Sequence, residues 1–97
     1  MQIGNLKIEN NLILAPMAGI TNLPFRLIVK DEGCGLVFSE MVSAIALVRN
    51  GKKTRDLLNS DPYERPLAVQ LFGSEPQIMA DAASIVEWFG VDILDIN

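Results

Sequence analysis

Leu67-Ala68-Val69-Gln70-Leu71-Phe72-Gly73, then Ser74 to Gly90, then Val91-Asp92-Ile93-Leu94-Asp95-Ile96-Asn97 is the stretch that decides the fold. Its first run is short and apolar except for Gln70, as suits a strand buried on both faces. In the middle, Ile78, Ala82, Ile85 and Phe89 recur at i, i+4, i+7 and i+11, the stripe of an amphipathic helix. Ser74 and Gln77 have capping-box spacing, and Gly90 is the C-terminal stop. Val91 to Ile96 reads as another strand. A strand, a helix and a strand in this order make a βαβ unit, with parallel strands and a right-handed crossover.

The same grammar extends upstream. Leu12 to Ala15 is a continuous apolar run stopped by Pro16, and predicts a strand buried on both faces. Thr21 or Asn22 can cap a helix with Pro24 in its first turn, Phe25, Ile28 and Val29 on one face, and Gly33 as its end. Leu36 to Ser39 predicts a second strand. Ser43 to Asn50 predicts a helix interrupted at Gly51, and Thr54 to Asn59 adds a turn or two. Before all of this, Leu6 and Ile8 alternate with Lys7 and Glu9 after Gly4-Asn5, the pattern of a small β-hairpin. The chain therefore reads as a hairpin followed by β-α-β-α-β-α-β, an α/β fold with a parallel sheet. The strands start near positions 12, 36, 67 and 91, which fits a doubly wound sheet or a (β/α)8 barrel. A whole barrel takes on the order of 250 residues. We expect residues 1–97 to be the N-terminal half of a TIM (β/α)8 barrel domain, preceded by the hairpin, with the rest of the barrel outside this chain.

Composition narrows the function classes. The chain has 97 residues, 49% hydrophobic and 21% charged, an ordinary globular balance. Its net charge of −4 argues against a free-standing nucleic-acid binder. With no His, a Ser-His-Asp triad and a His metal site cannot be built, and one Cys excludes an internal disulfide and a Cys-only zinc site. No metal site and no membrane contact are expected, since no apolar run approaches the ~20 residues of a membrane span. Met1 to Asn5 has no signal-peptide character, so a cytoplasmic location is expected.

In a barrel, chemistry sits at the C-terminal ends of the strands. Those ends are Ala15 to Gly19, Glu40-Met41, Gln70 to Gly73 and Asp95 to Asn97. Pro16, Met17 and Ala18 are small or soft enough for backbone to approach a flat ligand, or they simply make a βα turn. Gln70 can donate to and accept from the imide edge of a flavin or uracil, or it bonds a neighbouring loop or solvent. Asn97 can hydrogen-bond a planar ring, or it forms a turn. Glu40 either orients a substrate or sits favourably near the next helix start. Cys34, at the other end of the sheet between two glycines, reads as a structural thiol. The bases from Arg49 to Arg65 read as a solvated face, with phosphate contact as the other option.

Ala15-Pro16-Met17-Ala18-Gly19-Ile20-Thr21-Asn22-Leu23-Pro24-Phe25-Arg26 resembles the opening signature of the tRNA-dihydrouridine synthases. Ser39-Glu40-Met41, Val69 to Gly73 and Asp95-Ile96-Asn97 match the family in order and spacing, with the bacterial B-type branch the nearest in pattern. The resemblance implies an FMN-containing TIM barrel followed by a helical domain, with NADPH as reductant. It implies reduction of selected tRNA uridines to 5,6-dihydrouridine. By the same match Pro16, Met17 and Ala18 line the flavin, Gln70 hydrogen-bonds it, and Asn97 helps hold the flavin or the target uracil. The family's proton-donor Cys follows Asp-Ile-Asn in a Met-Gly-Cys-Pro run, so no catalytic residue is expected within residues 1–97. The 97-residue chain alone is expected to be inactive, to bind FMN weakly or not at all, and to self-associate through open sheet edges. The alternatives are a related flavin barrel acting on a free pyrimidine, as in dihydroorotate or dihydropyrimidine dehydrogenases, and a non-catalytic half-barrel.

Overall fold

The computed structural model describes all residues from Met1 to Asn97. The hairpin is present: β1 (Gln2–Ile3) pairs antiparallel with β2 (Leu6–Lys7), and Gly4 makes the turn at φ +56°. The sheet proper contains β3 (Ile13–Leu14), β4 (Leu36–Phe38), β5 (Val42–Ser43), β6 (Leu67–Phe72) and β7 (Ile93–Ile96). All its pairings are parallel. The helices are α1 (Leu23–Asp31), α2 (Ala44–Val48), α3 (Lys52–Asp56) and α4 (Pro76–Trp88), with a 3-10 turn at Pro62–Glu64.

β4 and β5 are one strand line interrupted at Ser39 to Met41. Phe38 pairs with Ala68 and Val42 with Leu71, while Leu71 also pairs with Ile96 of β7. A strand residue has one partner on each side, so β4 and β5 share one edge of β6 and β7 takes the other. The spatial order β3, β4 with β5, β6, β7 therefore follows the sequence order.

The two faces of the sheet differ. Leu47 of α2 and Ala82 and Val86 of α4 are buried in one cluster with Val69 and Leu71. Val29 of α1 packs beside Val37 and Leu67. The alternate residues face the other way. There Ile8, just after the hairpin, is buried against Leu36 and Ala68. Thus α1, α2 and α4 lie on one face, and the hairpin covers the N-terminal end of the opposite face.

Several expectations need correction. The Leu12 to Ala15 segment is not buried on both faces: β3 is an edge strand, and Leu12 and Ile13 are 61% and 47% exposed. The α1 face is not Phe25, Ile28 and Val29, because Ile28 is 65% exposed while Arg26 is buried. The reason is an ion pair. Arg26 Nε and Nη2 both reach Glu64 at 3.0 Å, Nη1 donates to the Thr21 carbonyl, and Nη2 donates to the Asn59 carbonyl. Ser60 Oγ adds a hydrogen bond to Glu64. These bonds satisfy two charges that would otherwise be costly to bury. The Ser74–Gln77 capping box does not form. Pro76 starts α4 with Glu75 as N-cap and no side-chain cap bond, and Gln77 bonds Asp81 instead. The two-residue β5 escaped the sequence reading, being too short to carry a period.

Candidate functional site

The loop after β3 is a closed turn. Met17 C=O accepts from the N–H groups of Ile20 and Thr21, both at 3.0 Å, and from the Thr21 hydroxyl. Met17 N–H donates to Thr21 Oγ1 at 3.1 Å. The buried Thr21 is itself held through its carbonyl by Arg26. Met17's backbone is thus spent inside the loop, and Pro16 has no N–H. Ala18 differs: neither its N–H nor its C=O has an intramolecular hydrogen bond.

Glu40 reaches the same loop. Its Oε1 accepts from Gly19 N–H at 2.6 Å, and Gly19 sits at φ +74°. The break between β4 and β5 frees Glu40 to do so, while buried Ser39 donates its hydroxyl to the Glu40 carbonyl. Glu40 does not serve the next helix, whose N-cap is Ser43, accepting from Ala46 N–H. Its observed role is to hold the loop after β3.

Gln70 and Asn97 meet. Gln70 is in register with Asp95 on the neighbouring strand, and its Nε2 donates to Asp95 Oδ2 at 2.6 Å. Asn97 Nδ2 donates to Gln70 Oε1 at 3.4 Å, and Asn97 N–H donates to the Leu71 carbonyl. The partner that Gln70 requires is thus a strand neighbour rather than a loop. Asp95 was not singled out from sequence as a site residue. The signal was there as a polar residue in each of two apolar strands, and only the register shows that they are opposite one another. No hydrogen bond joins this cluster to Pro16, Met17 or Ala18, which share with it the C-terminal end of the sheet. These residues line no enclosed hollow. A hollow at the other end is lined by Arg65, Leu67, Phe89 and Val91 among others.

Arg65, Asp92 and Cys34 are held in structural contacts. Arg65 grips Asp92 with Nε and Nη2 at 3.0 and 2.8 Å, and Leu67 N–H donates to the same carboxylate. Burial alone would raise the Asp92 carboxyl. The hydrogen bonds from Arg65 and Leu67 and the Arg65 charge outweigh burial and hold it below its ordinary value. Arg65 is therefore not part of a free basic face. Cys34 is buried, with its thiol against the Leu12 and Leu36 carbonyls. No group of three His, Cys, Asp or Glu side chains is placed to hold a metal, and no helix is long and apolar enough to cross a membrane.

Known proteins are similar in sequence to this chain. A probable tRNA-dihydrouridine synthase of Rickettsia typhi is 41% identical over 100 residues, covering all of this chain. The tRNA-dihydrouridine synthases B of Vibrio parahaemolyticus and Pseudomonas aeruginosa are 42% and 41% identical, again over the whole chain. The chain spans about 30% of the length of these relatives. The dihydrouridine synthase (Dus) family model matches residues 13–97. With the match running from β3 to the last residue of the chain, this protein belongs to the dihydrouridine synthase family.

Proposed function

We propose that residues 1–97 are the first part of an FMN-binding TIM barrel domain in a longer cytoplasmic enzyme that reduces uridine to 5,6-dihydrouridine in tRNA. The observation that carries this reading is the joined pair of Gln70 and Asn97 at the C-terminal ends of adjacent parallel strands, on the face free of helices. Helices on one face, with strands in sequence order, favour a barrel over a doubly wound sheet, which reverses its order and is covered on both sides.

The residues present fit a flavin. Ala18 keeps a free N–H and C=O in a loop braced by Thr21 and Glu40, suited to a ring laid against backbone. Pro16 and Met17 would complete that wall. Gln70 keeps one N–H and spare acceptor capacity for the ring's polar edge. Asn97 keeps its oxygen for the flavin or the target uracil. FMN, reduced by NADPH, would supply the hydride chemistry. The chain's own residues bind and orient, so that a uracil flipped out of the tRNA stack lies flat in the site. The proton donor would come from outside this chain. On its own, the chain would self-associate through its open sheet edges.

The test is to give the full-length protein NADPH and tRNA lacking dihydrouridine, then analyse the nucleosides. Dihydrouridine should appear. Its absence, together with reduction of free uracil or orotate, would replace this reading with that of a free-pyrimidine enzyme.

A further inference from the structure

The polar chain across β6 and β7 has a direction. Asn97 donates to Gln70, and Gln70 donates to Asp95. A primary amide can be turned over with almost no change of shape, exchanging donor for acceptor. An ionised carboxylate cannot, because it only accepts. Asp95 thus obliges the nitrogen of Gln70 to face it. That leaves Gln70 Oε1 towards Asn97, draws Asn97 Nδ2 inward, and frees Asn97 Oδ1 as an acceptor. Only one end of this series has fixed polarity: the Asp95 carboxylate takes no other donor, and the other hydrogen bond to the Gln70 amide comes from Asn97, itself an amide that can turn over.

We propose that Asp95 is a positioning residue that sets the donor and acceptor polarity of Gln70 and Asn97, and so makes the site selective for a ring with an unsubstituted imide. This rests on the flavin reading above. An imide alternates acceptor, donor, acceptor. Fixed donors and acceptors beside it reward the N–H and are left unmatched when that nitrogen is methylated. Amides free to turn over adapt to either ring. Asp95 therefore acts on discrimination by holding the orientation that matches the unsubstituted imide.

The experiment uses the full-length protein stripped of flavin and titrated with FMN and with FMN methylated at its imide nitrogen. The unaltered protein should prefer FMN by about tenfold, the scale of one unmatched polar group. In Asp95→Asn, whose amide can both donate and accept, the preference should fall to within about twofold, while Asp95→Glu keeps most of it. If Asp95→Asn does not fold, Asp95→Ser decides, since its hydroxyl can also both donate and accept and should erode the preference likewise. An unchanged preference in a folded variant overturns the inference and leaves the flavin site standing. Equal binding of both rings by the unaltered protein overturns it as well. No binding of either ring overturns the inference and the flavin reading together.

Discussion

Asp92 lies just before the last strand and Asp95 three residues on, near its C-terminal end, and their surroundings differ. Asp92, at the N-terminal end, receives Arg65 Nε, Arg65 Nη2 and Leu67 N–H. It is saturated, and close by Ile8 is packed on Leu36 and Ala68. Asp95, towards the C-terminal end, receives only Gln70 Nε2. Around it are groups with unused capacity: Gln70, Asn97 and, across the sheet, the backbone of Ala18. One residue type thus serves two purposes. At one end the Asp92 carboxylate is answered by three donors and the result is stability. At the other, polar groups are oriented but left partly unanswered, as a ligand site requires.

The largest break in this division should come from the ion pair that braces both ends. Glu64→Ala leaves Arg26 buried without its partner. It should cost about 3–5 kcal/mol, read as a loss of denaturant midpoint in the full-length protein. A loss under about 1 kcal/mol would mean that the pair is not buried as described. Next, Ile8→Ala opens a cavity under the hairpin and should cost about 2–4 kcal/mol while FMN affinity stays unchanged. Gln70→Ala sharpens the contrast from the other side. Thermal stability should stay near that of the unaltered protein, and FMN affinity should drop about tenfold by fluorescence titration, the loss of one hydrogen bond.

The smallest effect concerns Arg65→Ala. Arg65 is half-exposed, so screening limits the pair to about 1 kcal/mol or less. Its pH dependence has a definite sign. Because Asp92 is held below its ordinary value of 3.8, its contribution is complete above that value and is lost as pH falls through the lowered one. Urea unfolding of Arg65→Ala should show a smaller loss below about pH 3.8 than the unaltered protein shows. An equal acid loss in both would remove Arg65 as the cause.

Much of this was legible in the sequence, and the reasons are physical. β6 and α4 announce themselves through an apolar run and a helical stripe, and β6 spans Leu67–Phe72 as expected. Gly33 and Gly90 end their helices at φ +101° and +76°, as their position implied. What stayed hidden depends on contacts distant in sequence. Arg26 looks like a surface residue until Glu64, 38 residues on, is folded against it. Leu12 and Ile13 look like a core strand, yet they lie at a sheet edge. Asp95 gains its meaning only from register with Gln70.

The most direct measurement is to make Asp92→Asn and Asp95→Asn in the full-length protein and compare both for melting temperature and FMN affinity. Asp92→Asn should lower the melting temperature and leave FMN affinity alone. Asp95→Asn should leave the melting temperature nearly unchanged and loosen the flavin by several-fold, the scale of one misoriented hydrogen bond. If Asp95→Asn melts as early as Asp92→Asn and binds FMN as the unaltered protein does, the two ends of the sheet do not divide stability from ligand binding.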